Sequence, residues 1–372
     1  MIRKLNRILQ DYLREKRLKI GRMIWDRKEK KEIIKGNNFI EDNNIKSILF
    51  LRYDGKIGDM VINTIMFREI KKVYPYIKIG VVTRGGARDI ISNNTNVDKI
   101  YEYDKKRKNV KKLASEIALE KYDLLIDFSE MLRVNQMMFI NLCKARFNIG
   151  LDKKEWKLFD ISYSFLKKDI HISKLYEYIL NELGLKNINL DYEIFFNKEI
   201  EKKIEKNLEK YRNKKVYIVN PFAASKHRTL NEEKVKKIID IFLEKQNVEV
   251  FIIGEKKREK EILKIIKAYK ERVNYLKLNS ILETAYLIKK SNFIVTPDTS
   301  IVHIAACFKK NMIAIYRLDE SEKNQKNKKL WSPNYKEAIQ IYSNSLLVEK
   351  GKEVDINNFE IKEIEEILEE VI

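Results

Sequence analysis

Cysteine is almost missing from this chain: Cys143 and Cys307 are the only two in 372 residues. That excludes a disulfide framework and suits a reducing compartment. With only three histidines as well, no Cys/His metal cluster is expected. No run of about 18 apolar residues occurs, so no spanning helix is expected. The charged N-terminus lacks the continuous apolar stretch of a signal peptide. Glycine and proline are scarce too, at 11 and 4 residues, which makes each one informative. Five glycines (Gly55, Gly58, Gly80, Gly85, Gly86) fall in one short stretch, and Pro221 and Pro297 each close an apolar run.

Apolar residues (44%) and lysine are plentiful. The length suggests two domains. Seventy-six basic minus fifty-five acidic residues gives a net charge of +21. Such a charge fits a polyanionic partner: nucleic acid, an anionic membrane surface or a phosphorylated substrate. The Lys-, Ile- and Asn-rich coding of an AT-rich genome produces the same number. A nucleic-acid binder would interleave aromatic and basic residues on one face or show a recognition helix. The 19 tyrosines are scattered instead, so no nucleic-acid partner is expected.

Residues 2–24 carry Ile2, Leu5, Ile8, Leu9, Tyr12 and Leu13 at helical spacing among many Lys and Arg. Thirteen basic minus five acidic residues leaves +8 over positions 1–40. Such a helix suits an anionic membrane surface, or it packs on the domain or forms a coiled coil. Residues 37–44 read as a polar linker, so 1–44 form a basic N-terminal extension.

From Ile45 the pattern becomes βα alternation. Residues 47–52 form a continuous apolar run, as expected of a parallel strand covered on both faces. Strands follow at 77–83, 99–103 and 122–128, with helices at 59–73, 87–92, 110–120 and 132–144. A charged helical stretch at 198–212 leads to a second series. Its strands are 216–220, 248–253, 273–278, 293–296 and 312–316, and its helices 232–244, 258–269, 282–290 and 300–308. These divide into α/β domains at 45–205 and 206–350, followed by a C-terminal helix within 351–372. Two doubly wound sheets imply a cleft between them, with ligands beyond the strand ends.

The strand ends carry the candidate chemistry. The first ends in Arg52-Tyr53-Asp54-Gly55-Lys56-Ile57-Gly58-Asp59. Gly55 and Gly58 allow a tight turn, and the following helix terminus favours anions. The turn matches neither G-x-G-x-x-G nor G-x-x-x-x-G-K-[ST]. Asp59 is either a common first-turn carboxylate or, facing a cleft, a general base toward a hydroxyl. In the second series, Ser225, Lys226, His227 and Arg228 follow one strand like an anion site or a basic surface loop. Glu255 after Gly254 either accepts from ribose hydroxyls or caps a helix. Asp298, Thr299 and Ser300 are good helix N-caps whatever else they do, and His303 sits on the turn after them. Alone, such a histidine is more often packed than catalytic.

Three stretches, RYDGKIGDMVINTIMFREIKKVYP, NPFAASKHRTLNEEKV and TPDTSIVHIAACFKKNMIAIY, with the ILETAYLIKKSNFIVTPDTS approach, give the chain a specific resemblance. Over about residues 46–318 it resembles glycosyltransferase family 9, the ADP-heptose:lipopolysaccharide heptosyltransferases. The resemblance implies a GT-B fold of two Rossmann-like α/β domains facing a cleft. It implies inverting, metal-independent transfer of a sugar, heptose by the family's precedent, from a nucleotide-diphosphate donor such as ADP-heptose. The acceptor would be a lipid-linked lipopolysaccharide core or related glycan at the cytoplasmic face of the inner membrane. By the resemblance, Asp59 is the base, Lys226 with Ser225 contacts the donor phosphate, and Asp298, Thr299, Ser300, His303 and Glu255 line the donor. No cofactor or metal is implied. Ser300 stands where the family has glycine, His227-Arg228-Thr229 replace its aromatic-proline pair, and Tyr316-Arg317 replace its Tyr-Gly turn. These departures leave the fold and reaction class intact and leave open a GT-B transferase with another sugar or a protein acceptor. A catalytically dead scaffold would lack the strand-end carboxylates, which are present.

Overall fold

A computed structural model describes residues 2–34, 36, 38–129, 132–164, 170–269, 271–317, 329–343 and 354–371. Side chains of Ile2, Leu5 and Ile8 lie outside the described residues. The first sheet contains β1 (Ser47–Leu51), β2 (Lys78–Thr83), β3 (Lys99–Glu102), β4 (Leu124–Asp127), β5 (Phe147–Leu151) and β6 (Ile161–Tyr163). The second contains β7 (Lys215–Val219), β8 (Val248–Ile252), β9 (Val273–Asn274), β10 (Phe293–Pro297), β11 (Asn311–Arg317) and β12 (Ala338–Ser343). The orders are β3-β2-β1-β4-β5-β6 and β12-β11-β10-β7-β8-β9. Every pairing is parallel. Read from its first strand, each sheet therefore has the same winding. Its chain direction reverses beside that first strand, where a crevice opens beyond the carboxyl ends.

The helices that position this crevice are α3 (Ile57–Val73), α4 (Gly86–Ile90), α11 (Ile281–Lys290) and α12 (Ser300–Cys307). Helix α3 is buried at Gly58, along Met60–Phe67 and at Glu69 and Ile70. Its sequence lacks a strong apolar stripe because both faces are covered: the sheet lies on one side and α12 on the other. One core runs through both sheets and joins Ile62 and Ile65 to Val302 and Ala305. The α3–α12 crossing is close. A Cβ on Gly58 would lie 2.3 Å from Cδ2 of His303. Helix α4 meets α11 across Gly86, where a Cβ would come within 2.7 Å of Ile57.

The extension is built into the fold. Helix α1 (Ile2–Trp25) packs on α6 (Val134–Cys143). The expected linker at 37–44 holds a short helix, α2 (Phe39–Asp42). Phe39 and Ile40 are buried in the first domain's core. Two apolar residues among six polar ones gave no periodic signal, and tertiary burial decides the outcome. Helix α8 (Lys198–Leu208) crosses the expected boundary at 205/206 and joins α11 through Lys203–Glu283 at 2.6 Å. The last helix, α13 (Ile361–Val371), buries Ile364 and Leu368 against α9 (Glu232–Glu244).

Replacing Ile40 by Ala should cost about 2–5 kcal/mol, the usual penalty of a buried cavity. A true linker residue would cost almost nothing. Urea denaturation distinguishes the two, and an unchanged midpoint would return residues 37–44 to linker status.

Candidate active site

Two cavities lie at the strand ends, and the turn Lys56-Ile57-Gly58-Asp59 divides them. The first, about 480 Å³, is lined by Lys56 and Asp59 from that turn. It also takes Arg52, Tyr53 and Asp54 after β1, Arg84 after β2, Tyr103 and Lys105 after β3, and Phe128 and Ser129 after β4. Arg133, Asn135 and Gln136 at the start of α6, with Trp331 from the second domain, complete it. The second cavity, about 710 Å³, takes Ile57 from the turn. Its remaining lining includes Asn220, Phe222, Arg228, Gly254, Glu255, Ser280, Asp298, Thr299 and Ser300.

Asp59 occupies the first turn of α3. The Arg52 guanidinium donates to its carboxylate and also reaches Asp54 at 3.4 Å. Lys56 approaches Asp59 at 3.7 Å. Arg52 is 5% exposed. Burial opposes its charge, but Asp59 and Asp54 more than offset that and raise its proton affinity above the ordinary arginine value. Arg52 therefore stays cationic and fixes the Asp59 carboxylate. The sequence reading missed this residue. Its position two residues before Asp54 at a strand end carried the signal, but an arginine in a lysine-rich chain does not stand out.

The glycine turn is held from behind. Arg84 donates to the carbonyls of Tyr53 (2.9 Å) and Asp54 (2.8 Å). Gly55 has φ +74°, a left-handed conformation suited to glycine. Below it, the Tyr53 hydroxyl and Ser129 Oγ both donate to Asp127, at 2.9 and 3.0 Å. Burial pushes Asp127 above the usual carboxylate range, against the pull of Lys153. Lys153 is itself buried and donates to the carbonyl of Leu151 at 2.9 Å.

In the second cavity Asn220, after β7, donates to Thr296 (2.8 Å) within β10 and to Thr299 (3.3 Å) just after it. It ties the two strand ends together. Thr299 caps α12 by accepting from the amide of Ile301 at 3.3 Å. Arg228 meets Asp298 at 3.3 Å and faces the cavity. Phe222 lies against Gly254, where a Cβ would come within 2.6 Å of its ring, and Arg258 sits 5.1 Å above that ring. Glu255 lines the cavity and pairs with Lys257.

The structure brings Asp298, Thr299, Ser300 and Glu255 together around this cavity. Ser225 and Lys226 lie outside its lining, exposed at the outer end of the Lys226–Arg228 turn. His303 does not line it either. Its ring is buried between α12 and Gly58, with Nδ1 unpartnered among the described residues. Burial holds it below the ordinary histidine value, although Asp59 and Asp298 pull the other way. Among the described residues, no group of three or more His, Cys, Asp or Glu gathers that could hold a metal ion.

Two doubly wound domains with strand-end cavities meeting at one turn form the GT-B arrangement. A family model for glycosyltransferase family 9 (heptosyltransferase) matches residues 110–355, well over half of the chain. The chain belongs to that family and is a glycosyltransferase. It is 24% identical over 328 residues to a protein of Escherichia coli (strain K12) named "Putative lipopolysaccharide heptosyltransferase 4", covering 86% of this chain and 87% of that one. A glycosyl transferase family 9 structure from Veillonella parvula DSM 2008 superposes with a TM-score of 0.75 at 15% identity, covering 91% of this chain and 98% of the other. An E. coli heptosyltransferase solved with ADP-2-deoxy-2-fluoro heptose superposes at 0.68 with 14% identity, covering 88% and 100%.

His171 bridges the domains near the first cavity. It caps α7 (Ile172–Glu182) and reaches the carbonyl of Ser332, beside Trp331, at 2.9 Å. Burial lowers its pKa to about 4, with His303 adding to the effect. The folded value lies below the ordinary ~6.5, so the unfolded chain takes up this proton first as pH falls. Stability is therefore full above about pH 6.5 and declines between there and about pH 4. Between pH ~7 and ~5 this histidine should cost about 2 kcal/mol. His171→Gln should show a correspondingly shallower loss when urea midpoints are compared at the two pH values.

Proposed function

We propose that this protein transfers a heptose, with inversion and without a metal, from ADP-heptose to a glycan acceptor at the cytoplasmic face of an anionic membrane. The observation that carries the reading is the turn 56–59, which puts Asp59 in one cavity and Ile57 in the other. A nucleophile in the first cavity and an activated sugar in the second would meet at this turn. Asp59 accepts the proton of the acceptor hydroxyl as its oxygen attacks the anomeric carbon. The bond from that carbon to the diphosphate oxygen breaks, and the nucleoside diphosphate leaves with added negative charge. Arg228, with Lys226 on the same short turn, and the N-terminus of α12 at Thr299–Ser300 stabilise that charge. Phe222 against Gly254 offers a flat apolar contact for the base, and Glu255 an acceptor for ribose hydroxyls.

The likeness to a structure solved with an ADP-heptose analogue supports the choice of donor. Lys56, Lys105 and Arg133 around the first cavity suit an acceptor bearing phosphate or carboxylate groups. The membrane-side, lipid-linked nature of the acceptor is supported by the lipopolysaccharide name of the curated relative.

Asp59→Ala should lower kcat by ~100- to 10,000-fold, as loss of a general base does. Its ADP affinity should stay near that of the wild type, and wild-type turnover should persist in EDTA. Product assays with calorimetry test this, and wild-type turnover by Asp59→Ala would remove the assignment.

Arg228→Ala should weaken ADP binding by about 10- to 100-fold, the worth of a charge-assisted contact. Lys226→Ala should cost less, because its side chain starts from the exposed end of the turn. Titration calorimetry ranks the two, and an unchanged affinity in Arg228→Ala would free that residue from donor binding.

A further inference from the structure

Among its described side chains, helix α1 has two apolar faces, and the fold packs on one of them. Leu18 and Trp25 pack on the first domain's core, and a Cβ on Gly21 would lie 2.7 Å from Val134. Asp26 accepts from the amide of Leu158 at 2.9 Å, and Arg22 stacks 4.5 Å over Trp156. These contacts dock the C-terminal half of the helix. The opposite face carries Leu9, Tyr12, Leu13, Ile20, Met23 and Ile24, between 41% and 70% exposed. At about 100° per residue these six fall within one stripe roughly 120° wide. Large apolar side chains exposed in a row mark an interaction surface.

Charge says what covers it. Lys16 lies within the stripe, its ammonium 4.6 Å from the Tyr12 ring. Arg17 and Lys19 border it on either side, while Asp11 and Glu15 project from the other half of the helix. We propose that this face is a docking surface for an anionic phospholipid bilayer, with the apolar stripe entering the headgroup boundary and the three cations facing lipid phosphates. A second copy of α1 fits worse. Paired along the stripe, the two helices would set Lys16, Arg17 and Lys19 against their own copies, and like charges at those positions oppose pairing. Position adds to the argument. Val134, under Gly21, follows Arg133, which lines the first cavity. Helix α1 is thus seated on the helix whose first residues line that cavity.

The surface is independent of the transfer reaction, so its test uses neither donor nor acceptor. The full-length protein is co-sedimented with vesicles of phosphatidylglycerol and phosphatidylcholine, and with phosphatidylcholine alone. It should partition to the anionic vesicles and leave them as salt rises. Leu13→Asp with Ile20→Asp, both exposed, should abolish sedimentation while keeping the wild-type melting curve. Replacing Lys16, Arg17 and Lys19 by Gln should lower partitioning on the order of 100-fold at low salt, from about fivefold per charge. That charge variant decides the matter even if the aspartates perturb folding. Equal sedimentation of wild type and charge variant would overturn the proposal. So would a dimer in sedimentation equilibrium that Leu13→Asp/Ile20→Asp dissolves without changing vesicle binding. Loss of vesicle binding with ADP affinity intact would separate this surface from the active site.

Discussion

The close crossing of α3 over α12 is the constraint on which the rest of the molecule depends. The crossing is possible because residue 58 has no side chain, which leaves the space to the His303 ring. Gly58 is also one residue from Asp59 on one side and from Ile57 on the other. The contact that joins the domains therefore also fixes the divide between the two cavities. Three consecutive residues set the separation of the two cavities, with no long loop in between. The cost of such proximity is a buried imidazole, held neutral by its surroundings and lacking a partner for Nδ1 among the described residues.

The excess of positive charge has local uses that composition alone could not separate from coding bias. Arg52 is buried beside two carboxylates, a placement that a random surplus of surface lysine does not produce. Arg84 is bonded to the carbonyls of Tyr53 and Asp54 and holds the turn rather than a ligand. Lys56 and Lys105 are exposed around the first cavity and remain available to an anion. In the second cavity Arg228 is partly engaged by Asp298. In the proposed reaction an incoming diphosphate would compete with that carboxylate for the guanidinium.

The parts of this fold that were legible in the sequence are those where local pattern and burial agree. Strands such as Ser47–Leu51 and Val248–Ile252 are continuous apolar runs, and α9 was read to its observed ends. Strand β5 was missed because Phe-Asn-Ile-Gly-Leu interrupts its run with a buried asparagine, Asn148, whose side-chain NH2 donates to the carbonyl of Leu158. Strand β12 is half exposed at a sheet edge, and β6 has three residues. The strand expected at 273–278 pairs only over Val273–Asn274. The site divides the same way. Asp59, Asp298 and Thr299 follow strand ends and were visible. Asn220's bridge to Thr299 and Arg52's grip on Asp59 are tertiary facts. The interfacial place of His303 depends on a glycine 245 residues away, which no local window contains.

The two sheets share one winding, so their different roles must come from the loops at the carboxyl ends of their strands. After β1, β2, β3 and β4 the chain offers Asp54, Arg84, Tyr103 and Ser129 to the first cavity, and the turn after β1 adds Asp59. After β7, β8 and β10 it offers Asn220, Glu255 and Thr299 to the second, with Arg228 further along. Each cavity is thus built mainly from the loops of its own sheet, with Ile57 and Trp331 as contributions across the divide. In the proposed reaction the base and the diphosphate carry like charge, which favours such a division. A base placed among the donor-side groups would repel the diphosphate. On the other side of a four-residue turn, Arg52 holds the Asp59 carboxylate in the first cavity.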